Sequence, residues 1–76
     1  MQEELLNEQI QIERKLFFFS LKENPRGRFL KITEDVGGRR DSIIIPATGL
    51  DRLREVIDRA VEADRKAGPC AGEPVE

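Results

Sequence analysis

The feature that most constrains this chain is a change of period near Pro46. Before it come short segments rich in branched and aromatic residues, the first alternating weakly and the others carrying apolar runs, separated by turn residues. After it, Leu50, Leu53, Val56, Ile57, Ala60 and Val61 recur at helical spacing. A period of two belongs to strands and a period of 3.6 to a helix, so several strands must come first and one helix last.

Four strands are expected. Leu5 to Ile12 puts Leu6, Ile10 and Ile12 on one parity and Asn7, Gln9 and Gln11 on the other, a half-exposed strand. Leu16 to Lys22 is aromatic and apolar, and follows a tight polar turn at Glu13 to Lys15. In "ENPRG", Pro25 presets φ for a β-turn and Gly27 releases the chain from it. Phe29 to Glu34 forms the third strand, "DVGGRRD" reads as a flexible Gly-Gly loop, and Ser42 to Ala47 forms the fourth. Pro46 cannot donate a ladder hydrogen bond, which marks a sheet edge or a strand end. Thr48 with Asp51 resembles a capping box, and Gly68-Pro69 stops the helix. The expected fold is α+β: a four-stranded antiparallel sheet with one C-terminal helix covering one face. Residues 1–67 form the folded unit and residues 68–76 a disordered tail.

Size decides the next question. A chain of 76 residues buries only about 60% of its unfolded surface, so one copy has a marginal core. Cys70 is the sole cysteine and offers no staple, reading as a free thiol without a role. Dimerisation is the expected way to complete the core. With no histidine and no cysteine cluster, a zinc site is excluded and no cofactor is expected. No carboxylate pair marks a catalytic pocket, and the Gly37-Gly38 loop is too short to cradle a phosphate, so the chain does not read as an enzyme. Neither a signal peptide nor an apolar run of membrane-spanning length is present, which points to a soluble, intracellular protein.

The net charge of −2 argues against a polyanionic partner until the charge is mapped by segment. Residues 1 to 13 hold four glutamates and no base, whereas residues 14 to 31 carry a local +5. A local patch focuses field on an anion whatever the global sign. All four phenylalanines fall in the same stretch. Strand alternation sends Phe17, Phe19 and Leu21 to the core, with Leu30 and Ile32 of the next strand. Phe18 and Phe29 are left on the open face beside Lys22 and Lys31. Exposed rings stack unpaired bases and adjacent cations track phosphates, the combination used by single-stranded nucleic-acid binders. The same rings could instead cover a dimer interface or be ordinary strand formers, and the cations could simply solvate the surface. Asn24 can meet a base edge or serve the turn. A protein-interaction module binding acidic peptides through the open face or an edge strand is the alternative from another class.

"RKLFFFSLKENPRGRFLKITE", followed by a Gly-Gly-Arg-Arg loop, an Ile-rich strand and an amphipathic helix, resembles one PUR repeat of the purine-rich-element binding proteins. The likeness covers residues 5 to 63, and its core is "KEN-x-RGRFLKI-x-E" at Lys22 to Glu34. It implies a ββββα unit that binds single-stranded DNA and RNA, prefers purine-rich sequence, unwinds duplexes locally and regulates transcription. It also implies two intertwined copies, here a homodimer of the single-repeat form, with a cytoplasmic, bacterial setting and no small-molecule substrate. By resemblance the nucleic-acid contacts fall at Lys22, Asn24, Arg26 and Phe29, with Phe18 prising bases apart and Arg14 and Lys15 contributing near the first turn. Arg28 and Lys31 complete the expected basic set. Glu13, at a usually neutral turn position, and Ser20, in place of a common Asp, depart from the family pattern.

Overall fold

A computed structural model describes residues 2–69. Its order is β1 (Glu3–Ile12), β2 (Lys15–Asn24), β3 (Gly27–Val36) and β4 (Arg39–Pro46), a 3-10 turn (Ala47–Gly49) and α1 (Leu50–Ala67). The strands form one antiparallel meander in the order β1-β2-β3-β4. The expected ββββα layout is therefore present. Helix α1 stops where expected, with Gly68 at its C-cap in a positive-φ conformation. Cys70 and the rest of the expected tail lie outside the described residues. Among the described residues, no helix is long and apolar enough to cross a membrane.

Every connection between strands is a two-residue turn, and this corrects the expected flexible Gly-Gly loop. Val36 pairs with Arg39, and Gly37 and Gly38 close the hairpin at φ 60° and 87°. Two successive positive-φ residues match the right-handed twist of flanking strands, which is why glycines suit this turn. Asp35 Oδ1 accepts the Gly38 N–H at 3.1 Å and fixes it further. Glu13 takes positive φ in the β1–β2 turn, and the strands run longer than the period alone implied, so Lys15 opens β2 instead of closing that turn. In the β2–β3 turn, the Arg26 N–H donates to Asn24 Oδ1 at 2.9 Å.

The register sorts the side chains into two faces. Ile10 stands opposite Phe17, Phe19 opposite Ile32, Leu21 between Leu6 and Leu30, and Ile32 opposite Ile43. These residues form an apolar face. A register shift between Glu4 and Leu6 leaves Leu5 without a partner.

The helix does not cover that face. Its main contacts are with the 3-10 turn, and the molecule measures 46 × 30 × 15 Å, a slab with a helix running on from it. No described residue is buried: Phe17 and Phe19, expected in a core, are half-buried, Ile43 is 57% exposed and Ile57 54%. The physical reason is at the β4–α1 junction. Pro46 leads into the 3-10 turn, and that turn continues into α1 instead of reversing over the sheet. The expected capping box is absent for the same cause. Thr48 lies inside the 3-10 turn, Gly49 is the N-cap, and no side chain caps the helix. Asp51 instead accepts from Arg54 at 3.4 Å.

Candidate nucleic-acid interface

The opposite, polar face of the sheet is built in four cross-strand rows. Lys22 stands opposite Phe29, which stands opposite Pro46. Ser20, Lys31 and Ile44 form the next row, Phe18, Thr33 and Ser42 the third, and Leu16, Asp35 and Arg40 the fourth. Parity thus brings Phe18, Lys22, Phe29 and Lys31 onto one surface, as alternation predicts. Both residues are half-buried.

The cations divide by whether an acid already holds them. Lys22, Lys31 and the Arg26 side chain have no acidic partner among the described residues. Lys15 and Arg28 lie on the apolar side of their strands. Lys15 Nζ is 2.9 Å from Glu34, and Arg28 Nε is 3.4 Å from Glu23. Partly exposed pairs of this kind contribute only about 0–1 kcal/mol, yet they leave less net positive charge for a phosphate. Arg14 sits in the β1–β2 turn and Arg26 in the β2–β3 turn, at opposite ends of the ten-residue β2. At about 3.3 Å per residue they are roughly 30 Å apart, too far for one cluster. Asn24 uses its side-chain oxygen for the turn, which leaves its NH₂ free to donate.

One functional group was missed by sequence reading. Arg40 places its guanidinium carbon 5.1 Å from the centroid of the Phe18 ring, and its Nε donates to Asp35 Oδ2 at 2.8 Å. Asp35, Arg40 and Phe18 therefore form a layered unit in which a delocalised cation already stacks on the ring. The available signal was the two-residue Gly-Gly turn, which sets Arg39 and Arg40 on opposite faces; treating the turn as flexible lost that parity.

At the other end, Phe29, Ile44 and Pro46 line an open groove of about 310 Å³ together with Asn24, Arg26 and Arg28 of the β2–β3 hairpin end. Flat apolar walls beside cations suit a base with its phosphate.

Residues 2–68 match the family described as PurA ssDNA and RNA-binding protein. The chain belongs to the PurA family. It is 43% identical over 61 residues, 80% of its length, to Transcription factor Pur-alpha 1 of Arabidopsis thaliana. It is 29% identical over 68 residues to the human Transcriptional activator protein Pur-alpha, and 29% over 72 residues to the human Transcriptional regulator protein Pur-beta. These alignments cover 88% and 93% of the chain. The chain spans only about a fifth of the length of these PurA relatives, between 21% and 23%.

Proposed function

We propose that this PurA-family chain binds single-stranded DNA or RNA on the polar face of its sheet, as a non-catalytic regulator. The observation that carries the reading is the joint placement on that face of Phe18 and Phe29 with Lys22 and Lys31, which have no acidic partner among the described residues. Lys22, Lys31 and Arg26 release counterions from phosphates, and Phe18 and Phe29 stack on bases or wedge between them. Wedging supplies the local duplex unwinding, since a ring that replaces a lost base stack lowers the cost of opening. Action in transcription is part of the same proposal, supported by the relatives' names, and preference for purine-rich strands and a cytoplasmic setting are proposed with it.

The working unit in this proposal is a homodimer closed over the apolar face. Its support is that this face and the helical stripe of Val56, Ile57 and Val61 are left uncovered in one chain. Burying each such side chain stabilises by about 1.5–3 kcal/mol, enough in sum to drive association.

The test is a titration of a fluorescent purine-rich 24-mer, single-stranded and duplex, with wild type and Phe29→Ala over a range of salt. Salt-sensitive binding to the single strand, weakened in Phe29→Ala, is the expected result. Absence of binding at low salt would refute the reading.

A further inference from the structure

An acid stands among the rings and cations of the polar face. Glu4 of β1 is opposite Lys22, in the same row as Phe29. Its carboxylate is held: Ser20 Oγ donates to Oε2 at 2.7 Å, and Asn7 Nδ2 donates to Oε1 at 3.4 Å. Lys22 stands opposite but makes no contact ion pair with it. A carboxylate has about four acceptor sites, two on each oxygen, so one on each remains for a ligand. An acid held by neutral donors on a surface meant for phosphates weakens every complex that gives it nothing in return, which makes it a filter.

Base chemistry decides what passes. Two parallel acceptors require two adjacent donors. The Watson–Crick edge of unpaired guanine offers N1–H and an N2–H side by side. Adenine and cytosine place a ring-nitrogen acceptor next to their amino group, and thymine and uracil flank one N–H with carbonyls. Two strand spacings, about 10 Å, separate the backbones of Phe29 and Glu4, and the bond from Ser20 of β2 brings the Glu4 carboxylate part-way across, leaving the rest to a purine lying on the ring.

We propose that the Glu4 carboxylate, preset by Ser20, selects guanine by accepting N1–H and N2–H from a base stacked on Phe29. The proposal rests on the nucleic-acid reading above and adds to it the residue that selects the base and the contact by which it does so. Glu4 discriminates by rewarding one edge and repelling the rest.

The experiment compares full-length wild type, Glu4→Gln and Ser20→Ala on three single strands of equal length at one salt concentration: guanine-rich, its inosine-substituted counterpart lacking N2–H, and oligo-dT. Wild type is expected to prefer guanine over inosine and over dT by about 10-fold, the scale of a good bidentate base contact. Glu4→Gln should collapse both ratios toward one while holding or tightening dT binding, and Ser20→Ala should lower the ratios part-way. Unchanged ratios in Glu4→Gln, or parallel weakening on all three strands, would overturn the proposal and leave the function standing. Wild type binding none of the strands would instead bring down the nucleic-acid reading, and this one with it.

Discussion

Arg40 lies over Phe18 at 5.1 Å while its Nε is tied to Asp35 at 2.8 Å. The pair couples a ring that can stack on bases to a cation that an acid already holds. Replacing Asp35 by Asn removes the charge that holds the guanidinium. The expected outcome is tighter single-strand binding and a salt dependence steeper by up to about 0.7 in log–log slope, the share of one phosphate contact. Arg40→Ala should leave that slope nearly unchanged. Anisotropy titrations at four or five salt concentrations give both slopes.

Phe29→Ala should weaken binding by about 1–3 kcal/mol, the range for one stacked base, without altering assembly. The ring is on the polar face, so its loss opens no gap on the apolar one. Phe17→Ala is the contrast: its ring belongs to the apolar face, and it should lower the melting temperature first. Binding curves beside thermal melts separate the two, and equal binding by Phe29→Ala and wild type would end the stacking model.

The cations should fall into two classes in salt titrations. Arg26→Ala is expected to flatten the slope by roughly one contact, because no acid competes for that side chain. Lys15→Ala and Arg28→Ala, already paired with Glu34 and Glu23, should change it little. If all three behaved alike, charge density alone would explain binding and parity would not matter.

Ile43→Asp places a charge on the uncovered apolar face, on its β4 edge strand, where Ile43 is 57% exposed in one chain. In a monomer that substitution is nearly neutral; in a dimer closed over this face it buries an unpaired charge and should abolish assembly. Wild type should melt at a temperature that rises with protein concentration, as mass action requires of an associating fold, and the variant should not. Sedimentation equilibrium provides the second readout.

Strand identity, order and facing were legible from residues alone, because the parity that holds Phe17, Phe19 and Leu21 is wholly apolar while the other parity carries Ser20 and Lys22, and Leu30 and Ile32 follow the same rule in β3. That alternation also put Phe18, Phe29, Lys22 and Lys31 together. The path of the helix was not legible. A periodic stripe such as Leu53, Val56 and Ile57 says that a face wants cover but not which surface supplies it, and the direction was set by three residues of 3-10 turn. Pairing was also hidden: Arg28 and Lys31 look alike in sequence, and only register shows that one meets Glu23 and the other has no acid at hand. Arg40 was lost to a misread turn, not to a weak signal.

Because the middle of β2 holds Phe18, Ser20 and Lys22 on one parity and Phe17, Phe19 and Leu21 on the other, it works as two interleaved texts sharing one backbone. A point substitution edits one text. A one-residue deletion between Leu16 and Lys22 shifts every later residue to the other face, sending rings of one set where the other belongs and scrambling both messages together. Length change in this chain is therefore constrained differently from composition change. Divergent copies should keep the count of residues within each strand even where the residues themselves drift, and should confine insertions to the two-residue turns.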